Sequence, residues 1–132
     1  MQLSALLAPR SIAILGASDR PSIGRALIES LDRMGFDGEV LPINPKYPEL
    51  IGRRCYASID ELPAPPDVVA FCISFTRVRE NLERVAMKGA RGAVIYDGGF
   101  AERGEEGKAL QAAVVSICRG AGIALNGPNC MG

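Results

Sequence analysis

The chain has 132 residues, 48% of them hydrophobic, 23% charged and 5% aromatic, with 15 Lys and Arg set against 15 Asp and Glu. That length suits one globular domain able to bury roughly two-thirds of its unfolded surface without disulfides or a metal, and the neutral balance offers no basic field for nucleic acid or an anionic membrane, so any bound anion is gripped locally. There is no histidine, which excludes from this chain a Ser-His-Asp or Cys-His catalytic unit, a His-ligated metal and a phosphohistidine.

Taken in chain order, residues 1–9 hold only a short apolar patch (Leu3, Leu6, Leu7) with no basic leader, so neither a signal peptide nor a membrane span is expected. Residues 11–16 (SIAILG) form an apolar run that stops at a glycine, the pattern of a first strand buried on both faces. Ser22 can cap a helix with Ile23, Leu27, Leu31 and Met34 inward and Gly35 as its stop. A second strand over 39–43 ends in Asn44-Pro45-Lys46, where proline cannot continue a central ladder. A turn-rich connector follows, with one or two helical turns at 58–62 and then Pro63, Pro65 and Pro66.

Residues 67–74 (DVVAFCIS) predict a third buried strand, and Thr76 a cap for a helix carrying Val78, Leu82, Val85 and Ala86, ended by Gly89. A fourth strand is expected over 91–96, with the loop Gly98-Gly99-Phe100 after it. Residues 102–119 read as a helix with Leu110, Ala113, Val114 and Ile117 inward, its first turns weakened by Gly104 and Gly107, and 122–126 as a short fifth strand. Alternating strands and helices with doubly apolar strands predict an α/β fold: a Rossmann-like doubly wound parallel sheet with helices on both faces. The expected strand order is 3-2-1-4-5, with a ligand crevice beyond the C-terminal ends of strands 1 and 4. The cysteines, Cys55, Cys72, Cys118 and Cys130, make no Cys-x-x-Cys pair and read as free thiols of a cytoplasmic protein.

A glycine ending the first strand, then a loop and a capped helix, offers backbone N–H groups and a helix dipole to a phosphate. A dinucleotide fingerprint would be Gly-x-Gly-x-x-Gly, with an acid about twenty residues further on for the ribose hydroxyls. Here the loop is GASDRPSIG and the second strand ends in Asn-Pro-Lys, which disfavours a plain NAD site. Lys46 suits a ribose bearing its own phosphate, as in NADP and coenzyme A, and Arg20 adds a second positive contact. No Gly-Lys-Ser or Gly-Lys-Thr occurs, which excludes a P-loop nucleotide hydrolase. Taken singly, Gly16 and Gly24 also suit close strand–helix packing, and Lys46 and Arg20 a solvated surface; their place on consecutive crevice loops favours binding.

The segments IAILGASDRPSIG, VLPINPKYPELIGRRCYASIDELP, PDVVAFCIS, GARGAVIYDGGFAERGEEG and GIALNGPNCMG together resemble the N-terminal CoA-binding domain of the NDP-forming acyl-CoA synthetases. That superfamily includes ADP-forming acetyl-CoA synthetases, the succinyl-CoA synthetase alpha subunit and feruloyl-CoA synthetases. The resemblance implies coenzyme A (or acyl-CoA) as ligand, with its phosphates at Gly16, Ala17, Ser18, Arg20 and Ile23 and its phosphorylated nucleotide end at Lys46. It further implies contacts with the adenosine or pantetheine part at Ile73 and Ser74, although the family's Val-Pro-Ala is replaced here by Cys72-Ile73-Ser74. Gly98 and Gly99 are implied near the pantetheine, beside an Asp97 that departs from the family's small hydroxyl residue, and Asn129 of Gly-Pro-Asn-Cys near the thiol end.

The resemblance also implies that residues 1–132 are one CoA-binding domain of a longer acid-thiol ligase. The phosphohistidine and nucleotide-grasp domains would lie elsewhere, on the same polypeptide or a partner subunit, and this domain alone would be inactive. The alternatives are a stand-alone CoA-binding regulatory protein and an NADP-binding oxidoreductase domain. Cys130 reads as a packing residue and Asp97 as a turn former rather than as catalytic groups.

Overall fold

In the computed structural model, which describes residues 8–96 and 103–126, the apolar run after Arg10 is strand β1 (Ser11–Leu15), followed by helix α1 (Ile23–Arg33) and β2 (Glu39–Ile43). A two-residue ribbon, β3 (Glu49–Leu50) and β4 (Arg53–Arg54), and a 3-10 turn (Ile59–Glu61) lead to β5 (Val68–Phe71), α2 (Phe75–Lys88) and β6 (Gly92–Ile95). Helix α3 (Gly104–Ala121) and β7 (Ala124–Asn126) complete the described elements. The main sheet is parallel throughout, in the order β2-β1-β5-β6-β7, while β3 and β4 pair antiparallel by themselves. The fold class is the one expected, a Rossmann-like α/β sheet.

Successive strand residues point to opposite faces, and each face has its own helical layer. Ile12, Ile14, Val40, Val68 and Ala70 pack with Ile28 and Leu31 of α1. Ala13, Leu15, Val69, Phe71, Ala93 and Ile95 pack with Val78, Leu82 and Val85 of α2 and Val114 and Cys118 of α3. Both faces are therefore covered, which is why the strands carry no polar alternation.

The expected strand order of 3-2-1-4-5 is corrected: in order of the five main strands, the sheet runs 2-1-3-4-5. All four residues of β5 are buried, and the place between β1 and β6 pairs them on both sides under helices on both faces. The slot outside β2 is held by one parallel bridge from Ile43 to Tyr56. There the Tyr56 N–H donates to Pro42 O at 2.9 Å, and the Asn44 N–H to Tyr56 O at 2.8 Å. The connector thus supplies a one-residue edge strand, and the chain's change of direction falls between β1 and β5, not between the first and fourth strands.

Three local expectations also shift. Ser22 caps α1, its Oγ accepting the Arg25 N–H at 3.1 Å, but Ile23 and Met34 are 53% and 78% exposed while Ile28 is fully buried. The contact stripe runs through Gly24, Ile28 and Leu31, and Ile23 and Met34 stand at the helix ends, beyond the sheet. Helix α2 is capped from Ser74 rather than Thr76, because Phe75 must already be helical to bury its ring, which is 2% exposed. Helix α3 begins at Gly104, with φ +60°, and Gly107 is buried, so the two glycines belong to its first turn. Arg103 just before it lies 4.1 Å over the Phe75 ring. The expected start at Glu102 falls outside the described residues.

Ion pairs clamp the connector segments to the helices. Arg53 of β4 meets Asp32 of α1 at 2.5 Å, and this hydrogen-bonded guanidinium holds the Asp32 carboxyl below the usual carboxylate range. Arg84 of α2 meets Asp60 at 2.5 Å, and Lys88 donates to Leu62 O at 2.6 Å. The orientation of α1 yields a direct check by urea unfolding. Ile28→Ala should cost about 2–5 kcal/mol, the range for an emptied core site, whereas Met34→Lys should stay within about 0.5 kcal/mol as a surface change.

Candidate functional site

The site is built on the point where β1 stops. Gly16 has φ +84°, a left-handed backbone that costs other residues roughly 1–2 kcal/mol. A Cβ there would stand 2.2 Å from the Cys72 carbonyl oxygen. Its N–H donates to Ile43 O at 3.2 Å, and the Cys72 N–H donates to Leu15 O at 2.9 Å, so one residue sits between the ends of β2 and β5. A Cβ at Gly24 would come within 2.8 Å of Gly16 O, so the start of α1 also rests directly on this backbone. Ala17 is fully buried.

Asn44 joins this loop to the one after β2. Its Nδ2 donates to Ala17 O at 2.8 Å, and its Oδ1 accepts the Lys46 N–H at 2.9 Å, which turns the chain and presents Lys46. The Tyr47 hydroxyl donates to Asp19 Oδ1 at 3.0 Å, and Arg25 donates to Asp19 O. Ser18 Oγ accepts the Arg20 N–H at 3.1 Å, which leaves its own O–H available as a donor. Both loops are thereby fixed before any ligand arrives.

Beyond the ends of β1, β2 and β5 lies a cleft of about 450 Å³. Leu15, Ile43, Ile59 and Ile73 give it apolar surface, and Lys46, Ser58, Arg77, Asn81 and Arg84 give it polar surface. A larger hollow of about 680 Å³ runs along the exposed side of α3, between Lys108 and Gly120. Every described residue lining it belongs to that one helix, and none belongs to a described strand-end loop. The cleft is the better candidate because the sheet's change of direction places it there.

Of the residues singled out from sequence, Gly16, Lys46 and Ile73 line this cleft together. Ala17, Ser18, Arg20, Ile23 and Ser74 are not among its lining residues: Ala17 is buried, and Ser18, Arg20 and Ile23 continue the loop onto the start of α1, Arg20 and Ile23 being exposed. Ser74 is the exposed cap of α2, its Oγ 3.1 Å from Thr76 Oγ1. Gly98, Gly99 and Asn129, like Asp97 and Cys130, lie outside the described residues. Sequence reasoning missed Asn44 as the loop tie, and it missed Ser58, Arg77, Asn81 and Arg84. The spacing of 77, 81 and 84 along one helix face was the signal available for the last three.

The three described thiols are not activated. Burial pushes Cys72 up to about 12 and Cys118 up to about 11. Burial also raises Cys55, with the Asn44 backbone partly opposing the shift. Among the described residues no group of three His, Cys, Asp or Glu could hold a metal ion.

Known proteins resemble this chain in sequence and fold. A family profile described as a CoA binding domain matches residues 10–132. A trans-feruloyl-CoA synthase from an unknown prokaryotic organism is 38% identical over 132 residues, which is 99% of this chain and 19% of that protein. The alpha subunit of an ADP-forming acetate–CoA ligase I from Pyrococcus furiosus is 36% identical over 137 residues, covering 100% of this chain and 30% of the subunit. The apo form of a dinucleotide-forming acetyl-coenzyme A synthetase 1 from Ca. Korarchaeum cryptofilum superposes with a TM-score of 0.89 at 34% identity, over 96% of this chain and 28% of that one. The chain spans between 19% and 30% of the length of these relatives.

Two consequences are measurable. Gly16→Ala combines a left-handed backbone with a clash against a main-chain oxygen, so it should lose upwards of about 2 kcal/mol in urea unfolding. The Cys72 thiol, raised from an ordinary 9.0 to about 12, contributes stability that is complete below pH 9 and is lost as pH rises through 12. The fall in stability between pH 7 and pH 10.5 should therefore be smaller in Cys72→Ala than in the wild type.

Proposed function

This chain belongs to the family of CoA binding domains, and we propose that it serves as the coenzyme A-anchoring domain of a longer acid-thiol ligase, holding the nucleotide end of the ligand at Lys46. The observation that carries this reading is the Lys46 side chain itself. It lines the cleft at the end of β2, and among the described residues its ammonium has no hydrogen-bond or ion-pair partner. An open cation there suits a ribose phosphate, where a dinucleotide site would place a ribose-binding acid.

The other residues fit the same ligand. The flat backbone at Gly16 and the start of α1, whose first turn carries no acid, suit the diphosphate, with the Ser18 hydroxyl and Arg20 as further donors. Ile73 offers apolar surface to the nucleoside part, and Ser74 a hydroxyl at its edge. In this reading Gly98, Gly99 and Asn129 take the pantetheine and thiol end. Bound coenzyme A supplies a thiol nucleophile. The chain's own task is to fix the charged end, so that the reactive end is delivered as a local, effectively intramolecular reactant to groups on other domains.

Support for the wider assignment comes from the relatives, a feruloyl-CoA synthase and an acetate–CoA ligase subunit. We place the phosphorylated histidine and the nucleotide-grasp machinery on further domains of the same polypeptide or on a partner subunit, and the assembled enzyme in the cytoplasm, where free thiols persist. No helix among the described residues is long and apolar enough to cross a membrane.

Titration calorimetry with coenzyme A, dephospho-CoA, NADP and NAD tests the reading. Coenzyme A should bind best, and tight NAD binding without coenzyme A binding would overturn it. Lys46→Ala should weaken coenzyme A by about 1–3 kcal/mol, the range for a charge-assisted contact, and leave dephospho-CoA almost unchanged.

A further inference from the structure

We infer that Arg77, on the first turn of α2, is a second phosphate-binding residue of the cleft, which shares the ribose phosphate monoester with Lys46 and sets the preference for ligands that carry it. The inference rests on the coenzyme A reading and adds a specificity-determining residue to it.

Arg77, Asn81, Arg84 and Lys88 recur at i, i+4, i+7 and i+11 of α2 and so share one helix face. The two cations deeper along that face have structural work. Arg84 pairs with Asp60 at 2.5 Å, and Lys88 donates to Leu62 O at 2.6 Å and to Asp60 O at 3.3 Å, so both hold the connector against the helix. Arg77 differs. Its backbone N–H donates to Ser74 O and its carbonyl accepts from Asn81, but its guanidinium has no partner among the described residues. It nevertheless lines the same cleft as Lys46.

Charge decides what such a pair is for. A phosphate monoester carries about −1.5 to −2 at neutral pH, which one ammonium only half neutralises. Among the described residues no acidic residue lines the cleft, and the Asp60 carboxylate is matched by Arg84, which does line it. The first turn of α2 contains no acid, and Ser74 makes no side-chain capping bond, so the positive end of the helix dipole reinforces Arg77 instead of cancelling it. A planar guanidinium also presents two parallel N–H donors to phosphate oxygens, where lysine presents a point charge.

The test is calorimetry of the wild type, Arg77→Ala, Arg77→Lys and Lys46→Ala/Arg77→Ala with coenzyme A and dephospho-CoA. Arg77→Ala should weaken coenzyme A by roughly 10-fold or more while dephospho-CoA changes by less than about 2-fold. Arg77→Lys should recover part of the loss, and the double variant should bind both ligands alike. Arg77 is exposed, so thermal melting of each variant should match the wild type, which separates a ligand contact from a folding effect. Wild-type discrimination that persists in Arg77→Ala, or equal losses for both ligands, would overturn this inference alone. A wild type that binds no coenzyme A would overturn the parent reading and this one with it.

Discussion

The architecture of the cleft depends on one close approach, the backbone of Gly16 against the carbonyl of Cys72. It is where the outgoing chain of β1 must bend toward α1 without leaving the sheet, between a β2 that ends in Ile43 and a β5 that ends in Phe71. A side chain at Gly16 would push those two strand ends apart, since its Cβ would meet main-chain atoms that cannot rotate away. With no side chain, the hydrogen bonds to Ile43 O and Leu15 O both form, and the start of α1 settles onto the loop through Gly24. The same absence that permits the packing leaves backbone bare at the switch point of the sheet. Fold and binding surface are therefore consequences of one steric fact.

A neutral chain can still recognise a highly charged ligand because its charges are sorted by position. Asp32 and Asp60 are each matched by an arginine from a neighbouring segment, and Asp19 is engaged by the Tyr47 hydroxyl. These contacts are exposed and individually weak. Of these, the pair of Asp60 with Arg84 engages the carboxylate beside the cleft residue Ile59, and among the described residues the Lys46 and Arg77 side chains have no ion-pair partner. Local field, rather than net charge, then decides what binds.

Much of this was legible in the sequence, and the exceptions have physical causes. The boundaries of β2 and the cap of α1 at Ser22 follow from short-range chemistry: a proline after Asn44, and a hydroxyl one position before a helical pattern. The strand order was not legible, because a strand such as VVAF shows that it is buried but not which neighbours bury it, and the one-residue edge strand at Tyr56 has no periodicity to read. Ile28 rather than Met34 faces the sheet for a similar reason, since the apolar stripe of α1 is wide enough to admit two phases and only the sheet selects one. In the site, the glycine and the lysine stood out because they fall where a nucleotide-binding sheet places its phosphate loop and its ribose-reading residue. Arg77 did not, because an arginine on a polar helix face is ordinary until its neighbours Arg84 and Lys88 are seen to be engaged elsewhere.

Under the proposed reading, Asn44 accounts for a preference for a phosphorylated ribose over a free one. A dinucleotide site reads ribose hydroxyls with a carboxylate at the end of the second strand, which needs acceptor oxygens open to the ligand. Here the corresponding side-chain oxygen already accepts the Lys46 N–H, and the amide nitrogen already donates to Ala17 O. The position is consumed in fastening one loop to the other, so it has little acceptor capacity left for a diol. The same turn that uses up the acceptor delivers a cation two residues later. Replacing a hydroxyl reader with a phosphate reader therefore needs no new element in the fold, only an amide that ties the loop down and a lysine at the point where the tied loop turns.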